Sequence, residues 1–155
     1  MYQTILVPLD GSPRAEHILS HVENLAVNYK AKVIFLQVME PMQIVNPSII
    51  HVSSALTDTV EESLKDFNLR YEEINTYLAG HQGEFKEKGI VARKFVEQGP
   101  VVDTIISVAQ RENADLIAMA SHGRSGMSRV FYGSVASGVL QQIDRPMLII
   151  RSRNI

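Results

Sequence analysis

Five short apolar runs alternate along the chain with longer segments in which apolar residues recur at helical spacing. The runs are Thr4-Ile5-Leu6-Val7, Lys32 to Met39, Ile90 to Glu97, Asp115 to Met119 and Met147 to Ile150. Four of them read as strands buried on both faces, because they are nearly continuous in β-branched and aliphatic residues. Ile90 to Glu97 is more polar and alternating, and predicts an edge strand.

Between the runs the spacing predicts helices. Ser12 before Pro13 gives a side-chain cap followed by proline at the first helical position. Ala15, Ile18, Leu19, Val22, Leu25 and Ala26 then carry a helical stripe to about Tyr29. Thr57 to Lys88 predicts a long helix with Leu64, Phe67, Tyr71, Ile74, Leu78 and Phe85 on one stripe and Gly89 as its stop. Gly99-Pro100 opens a third helix that buries Val102, Ile105, Ile106 and Ala109, and a last one runs from about Gly133 to Ile143. From Glu40 to Ser53 the chain is irregular and apolar, broken by Pro41 and Pro47, as a lid or binding wall can be. Strands alternating with helices predict a single-domain α/β protein with a parallel sheet.

Composition narrows the class. The 155 residues suit one domain with an ordinary core, and 45% hydrophobic against 21% charged residues is a globular balance. A formal net charge of -2 gives no broad basic surface, so nucleic acid is not an expected partner. There is no cysteine, which excludes disulfides and thiolate metal sites. Met1 to Pro8 reads as a first strand rather than a signal peptide, and no apolar run approaches the ~20 residues of a membrane span. The expectation is a cytoplasmic protein with no membrane partner.

Chemistry is concentrated at two strand ends. In open parallel sheets ligands sit beyond the carboxyl ends of strands where the strand order reverses. Pro8-Leu9-Asp10 follows the first strand, and Ser121 to Gly126 follows the fourth. The strand order 3-2-1-4-5 would bring them into one crevice. Gly123 and Gly126 let a loop backbone approach phosphate closely, and Gly133-Ser134 does the same at a helix start, where amides and dipole favour anions. The same glycines serve equally well in an ordinary turn, with Ser134 or Gly133 as a plain cap. Asp10 can accept from a ribose or place a divalent metal, or shape an Asx turn before the helix. Val38 can wall a base or simply belong to the core. Arg124 and Arg129 can add charge or stand in solvent. His122 has no partner carboxylate, and His17 and His21, spaced i, i+4, have no third ligand. The sequence contains no P-loop motif, no G-x-G-x-x-G after the first strand, and no G-x-S-x-G elbow.

The segments Ile5 to Ser12 and Ala120-Ser121-His122-Gly123-Arg124-Ser125-Gly126, with Gly99-Pro100 and Arg145-Pro146 in matching places, resemble the universal stress proteins over almost the full length. Nucleotide-binding members carry G-x2-G-x9-G-[S/T]. Here it aligns as Ala120-x2-Gly123-x9-Gly133-Ser134, with alanine in place of the first glycine.

The resemblance implies a Rossmann-like fold with helices on both faces of a five-stranded parallel sheet, and ATP as the ligand with Mg or Mn beside it. ADP, AMP and cAMP remain open. It implies further that Pro8, Leu9, Asp10 and Val38 hold the ribose and base, and that Met119, Ala120, Ser121, His122 and Gly123 line ribose and phosphates. Arg124 and Gly126 stand beside them, and Gly133, Ser134 and Val135 take the triphosphate. A homodimer through the last strand, Met147 to Arg151, is implied as well. Three functions stay in view: a non-catalytic dimeric sensor of stress or metabolic state, a slow ATP hydrolase or nucleotidyl-transfer enzyme, and a partner-binding dimer with an empty or AMP-type pocket.

Overall fold

A computed structural model describes residues 1–41, 54–121 and 133–152, with the side chains of residues 54–57 left out. Five strands form one parallel sheet: β1 (Thr4–Pro8), β2 (Lys32–Met39), β3 (Ala92–Gln98), β4 (Leu116–Ala120) and β5 (Met147–Ile150). Their order is β3-β2-β1-β4-β5, as expected, with the polar third strand at one edge. The connecting helices are α1 (Pro13–Glu16), α2 (Leu19–Tyr29), α3 (Ser54–Glu87), α4 (Val101–Arg111) and α5 (Ser134–Gln142).

The apolar runs are continuous because both faces of the sheet are covered. Ile5, Val7, Val33, Phe35, Leu116 and Ala118 pack on one side with Ala15, Val22, Leu78 and Phe85 of the first three helices. The alternate residues, Leu6, Ile34, Leu36, Ile117 and Met119, pack on the other with Ile105, Val108, Ala136 and Val139 of α4 and α5. The first strand is tied to β4 at its start, where the Asp115 carboxylate accepts from the Gln3 and Thr4 amides at 2.8 and 3.0 Å.

Three details depart from the sequence expectation. The segment expected as one helix to Tyr29 is two, because the helical ladder is interrupted at His17 and Ile18 while the apolar stripe runs on across the break. The long helix begins at Ser54, and at 34 residues it spans about 50 Å, well beyond an eight-residue strand. Only Ile74, Leu78 and Phe85 of its stripe therefore reach the core, whereas Leu64 and Tyr71 are exposed. The third strand starts two residues later than expected, since Gly89 at φ +77° makes the turn and Ile90 is buried under it. At Gly99 a Cβ would meet Thr104 Oγ1 at 2.7 Å, and φ is +141°, so this entry to α4 requires glycine. No described helix is long and apolar enough to cross a membrane.

Candidate functional site

The strand order reverses between β1 and β4, and the chain leaves these neighbours in opposite directions. A crevice of about 200 Å³ opens there, beyond their carboxyl ends. Its apolar wall comes from Leu36 and Val38 of β2, Val101 and Ile105 of α4, and Met119 of β4. Its polar side comes from Asp10, Ser121, Gly133 and Ser134. Pro8, Leu9, Ala120 and Val135, also expected from the sequence, line it too. His122, Gly123, Arg124 and Gly126 lie outside the described residues, as does Arg129.

Each wall has a local cause. Pro8 closes β1, and Leu9 still donates its amide to the Leu36 carbonyl at 2.8 Å, so Asp10 leaves the sheet at a defined point. Asp10 Oδ1 then accepts from the Ser12 amide at 2.9 Å, the Asx turn foreseen for it. Ser12 Oγ in turn accepts from the Ala15 amide at 3.2 Å and caps α1. The residue that makes this turn is thus also one that lines the crevice.

On the opposite side Ala120 is an ordinary strand residue, paired with Ile150 and absent from the positive-φ positions. The backbone thus makes no demand for glycine at this place, and alanine adds only a methyl to the wall. Ser121 is 3% exposed; its amide donates to the Ile150 carbonyl and its carbonyl accepts from the Gly133 amide. The segment between Ser121 and Gly133 therefore leaves and re-enters the site through one hydrogen bond. The Gly133 amide is thus used inside the protein, while the residue itself still lines the crevice. The first intrahelical bond of α5 is Ser137 N–H to the Gly133 carbonyl. Among the described residues, the amides of Ser134, Val135 and Ala136 make no hydrogen bond, and all three residues line the crevice. A helix start with unspent donors favours an anion.

Sequence reasoning missed Leu36, Val101 and Ile105 as wall residues. The signal for Leu36 was its alternation with Val38 on one sheet face; the α4 pair was visible only as a helical stripe. The other histidines do not gather in the crevice. His17 and His21 are exposed, the first in the helix break and the second on α2. His81 is part-buried on the far side of the sheet, with Nε2 at 3.6 Å from Glu16 and Nδ1 at 3.8 Å from Glu84. No group of three potential metal ligands occurs among the described residues.

Comparisons with known proteins agree with this geometry. The model of the universal stress protein family matches residues 1–151. Universal stress protein MJ0577 of Methanocaldococcus jannaschii is 28% identical over 99% of this chain and 98% of its own length. The solved structure of MJ0577 matches with a TM-score of 0.81 at 26% identity, covering 100% of this chain and 99% of that one. A universal stress protein solved in complex with cAMP shares the fold at 20% identity, with a TM-score of 0.68 over 98% of both chains. One from Archaeoglobus fulgidus solved with dAMP does so at 17% identity and a TM-score of 0.58, over 96% of this chain and 98% of that one. With its family model matched from end to end of the sheet and the crevice at the switch point, this chain belongs to the universal stress protein family.

Proposed function

We propose that the crevice binds an adenine nucleotide, with ATP as the leading ligand, and that the protein works as a homodimeric sensor or signalling module for stress or metabolic state. The observation that carries the reading is the first turn of α5, whose Ser134, Val135 and Ala136 line a crevice with an apolar wall opposite and whose amides have no partner among the described residues. Phosphates belong at the amides of Ser134, Val135 and Ala136 with the Ser134 hydroxyl, joined by His122, Gly123, Arg124 and Gly126 from the connecting loop. The base belongs on Leu36 and Val38, and the ribose at Asp10, whose carboxylate accepts from hydroxyls. Mg or Mn accompanies the triphosphate as its counter-ion. Two proteins of the same fold hold cAMP and dAMP, which supports adenine as the base this architecture accommodates. A sensor is favoured over an enzyme by the sequence, which carries neither a P-loop nor a nucleophile elbow. The dimer is assigned to Met147 to Arg151.

Identification by mass spectrometry of the nucleotide that copurifies, followed by calorimetric titration with ATP and Mg, tests the proposal. ATP binding is expected; no heat at millimolar ATP overturns it. Gly123→Val, which puts a branched side chain where the loop must approach phosphate, is expected to abolish binding with the fold retained. Recovery of AMP or cAMP in place of ATP would assign the smaller ligand to the same crevice. Turnover of ATP lost in Asp10→Ala with binding retained would make the site a slow hydrolase.

A further inference from the structure

Tyr77 lies on α3, on the face of the sheet away from α4 and α5, and is not among the residues lining the crevice. Its hydroxyl donates to Glu16 Oε1 at 2.9 Å. Glu16 is the last residue of α1, a single turn of four residues that is broken from α2 at once. One turn of helix does not hold itself together, since nucleation fixes several residues for one hydrogen bond. What holds this turn is the Ser12 cap at its start, the Tyr77 hydroxyl at its end, and Ser152 Oγ, which donates to the Arg14 carbonyl at 3.0 Å. The same turn fixes Asp10, because Ser12 gives its amide to the Asp10 carboxylate and its side chain to the helix.

We propose that Tyr77 is a positioning residue for the nucleotide: by gripping Glu16 it fixes α1, and so sets where Asp10 stands in the crevice. The inference rests on the nucleotide reading above. The tyrosine suits the task. Its ring stands edge-on to His81 at 4.8 Å and packs against the core, so the hydroxyl is delivered from a packed side chain. Burial first, then the Glu16 hydrogen bond and the charges of Glu16 and Asp10, push its ionisation well above the ordinary tyrosine range. The hydroxyl therefore stays a donor at every physiological pH, and the Asp10 carboxylate lies within its electrostatic reach. A donor to a carboxylate is also the stronger kind of hydrogen bond.

The test is calorimetric titration of ATP and of 2′,3′-dideoxy-ATP, both with Mg, into the wild type, Tyr77→Phe, Asp10→Asn and the double variant. Phenylalanine keeps the ring against His81 and removes only the hydroxyl. Tyr77→Phe is expected to weaken ATP about fivefold, less than loss of a direct hydrogen bond to a charged group, because it reaches the nucleotide only through Asp10. It should leave dideoxy-ATP unchanged, because Asp10 has no hydroxyl to accept from there. Added to Asp10→Asn it should cost nothing more, and Glu16→Gln, which keeps an acceptor, should restore most of the affinity that Glu16→Ala loses. Thermal melts of each variant confirm that the assay is run on folded protein. Equal losses for both nucleotides, additive losses in the double variant, or ATP affinity within about twofold of the wild type in Tyr77→Phe would overturn the inference alone. A wild type that binds no ATP overturns the nucleotide reading itself.

Discussion

The two edges of the sheet are built in opposite ways. At the β3 edge two guanidiniums lie on one ring, Arg93 at 4.9 Å and Arg111 at 5.2 Å from the centroid of Phe95. Their charges are answered by Glu112, at 2.9 Å from Arg93 and 3.2 Å from Arg111, and by Glu97, at 2.7 Å from Arg111. At the β5 edge stand Met147, Leu148, Ile149 and Ile150, all part-exposed, and no described strand pairs with the far side. An open row of amides and carbonyls invites another strand, and charged side chains along the rim discourage it. The difference teaches that pairing is suppressed on one side of the sheet and left available on the other. That supports the assignment of the dimer to the last strand.

The largest expected effect follows from which backbone groups of β5 face outward. A residue in a parallel strand presents its amide and carbonyl to the same side. The carbonyls of Pro146 and Ile150 accept from Ile117 and Ser121, so residues 146, 148 and 150 face β4. Met147 and Ile149 face the open edge. Ile149→Pro thus deletes an outward amide and leaves the β4 ladder intact, a place where a strand tolerates proline. In a two-fold dimer the loss occurs twice, and self-association is expected to weaken by about a hundredfold. Sedimentation equilibrium with an unchanged circular dichroism spectrum would verify it. A variant that remains as dimeric as the wild type would remove β5 from the interface.

Much of this contrast was legible in the sequence. The alternation of Arg93, Lys94, Phe95, Val96 and Glu97 marked an edge strand, and the unbroken Met147 to Ile150 run marked an apolar one. The strand order that would bring Asp10 and Ser121 into one crevice is the one observed, with β1 paired to both β2 and β4. Period and position reveal which residues face a layer, and for this reason Pro8, Leu9, Asp10, Val38 and Ser121 were found. They do not reveal where a layer ends. Leu64 and Tyr71 share the stripe of Leu78 and Phe85, yet the sheet beneath them has run out. Nor do they show where a particular amide goes, so the use of the Gly133 donor by Ser121 and the grip of Tyr77 on Glu16 were invisible.

A middle effect is expected at Arg145, which holds β5 in place from its N-terminal end. Its Nη1 donates to the Ala109 carbonyl at 2.9 Å and the Ala114 carbonyl at 2.8 Å, closing the end of α4 and the approach to β4. The Ala109 carbonyl belongs to the last turn of α4 and the Ala114 carbonyl to the connection that follows it, and the Arg145 side chain is only 20% exposed. Arg145→Ala takes this donor from the Ala114 carbonyl, while the Ala109 carbonyl keeps the Ala114 amide, and is expected to cost about 1–3 kcal/mol in urea unfolding. Arg145→Lys should recover part of it, since an ammonium reaches one carbonyl more readily than two in a fixed fork. A stability change indistinguishable from zero in Arg145→Ala would mean that β5 is anchored by its apolar side chains alone.

The smallest effect belongs to the charged edge, and its smallness is the point. Arg111 is bonded to two carboxylates and stacked on a ring, but its side chain is 48% exposed and Glu97 is 30% exposed. Water and salt screen such pairs, so Arg111→Ala is expected to cost under about 1 kcal/mol, and less in high salt. If the guanidiniums serve chiefly to keep β3 unpaired, their removal should show in association rather than in folding. Arg93→Thr with Arg111→Ala removes both charges, puts a β-former on the strand and a helix-former on α4, and uncovers Phe95 at an open edge. Light scattering against protein concentration is expected to reveal new self-association that Ile149→Pro does not relieve, because it arises at the opposite side of the sheet. Association abolished by Ile149→Pro would place it at β5, and the charged edge would then be a stabilising network with no part in choosing which side pairs.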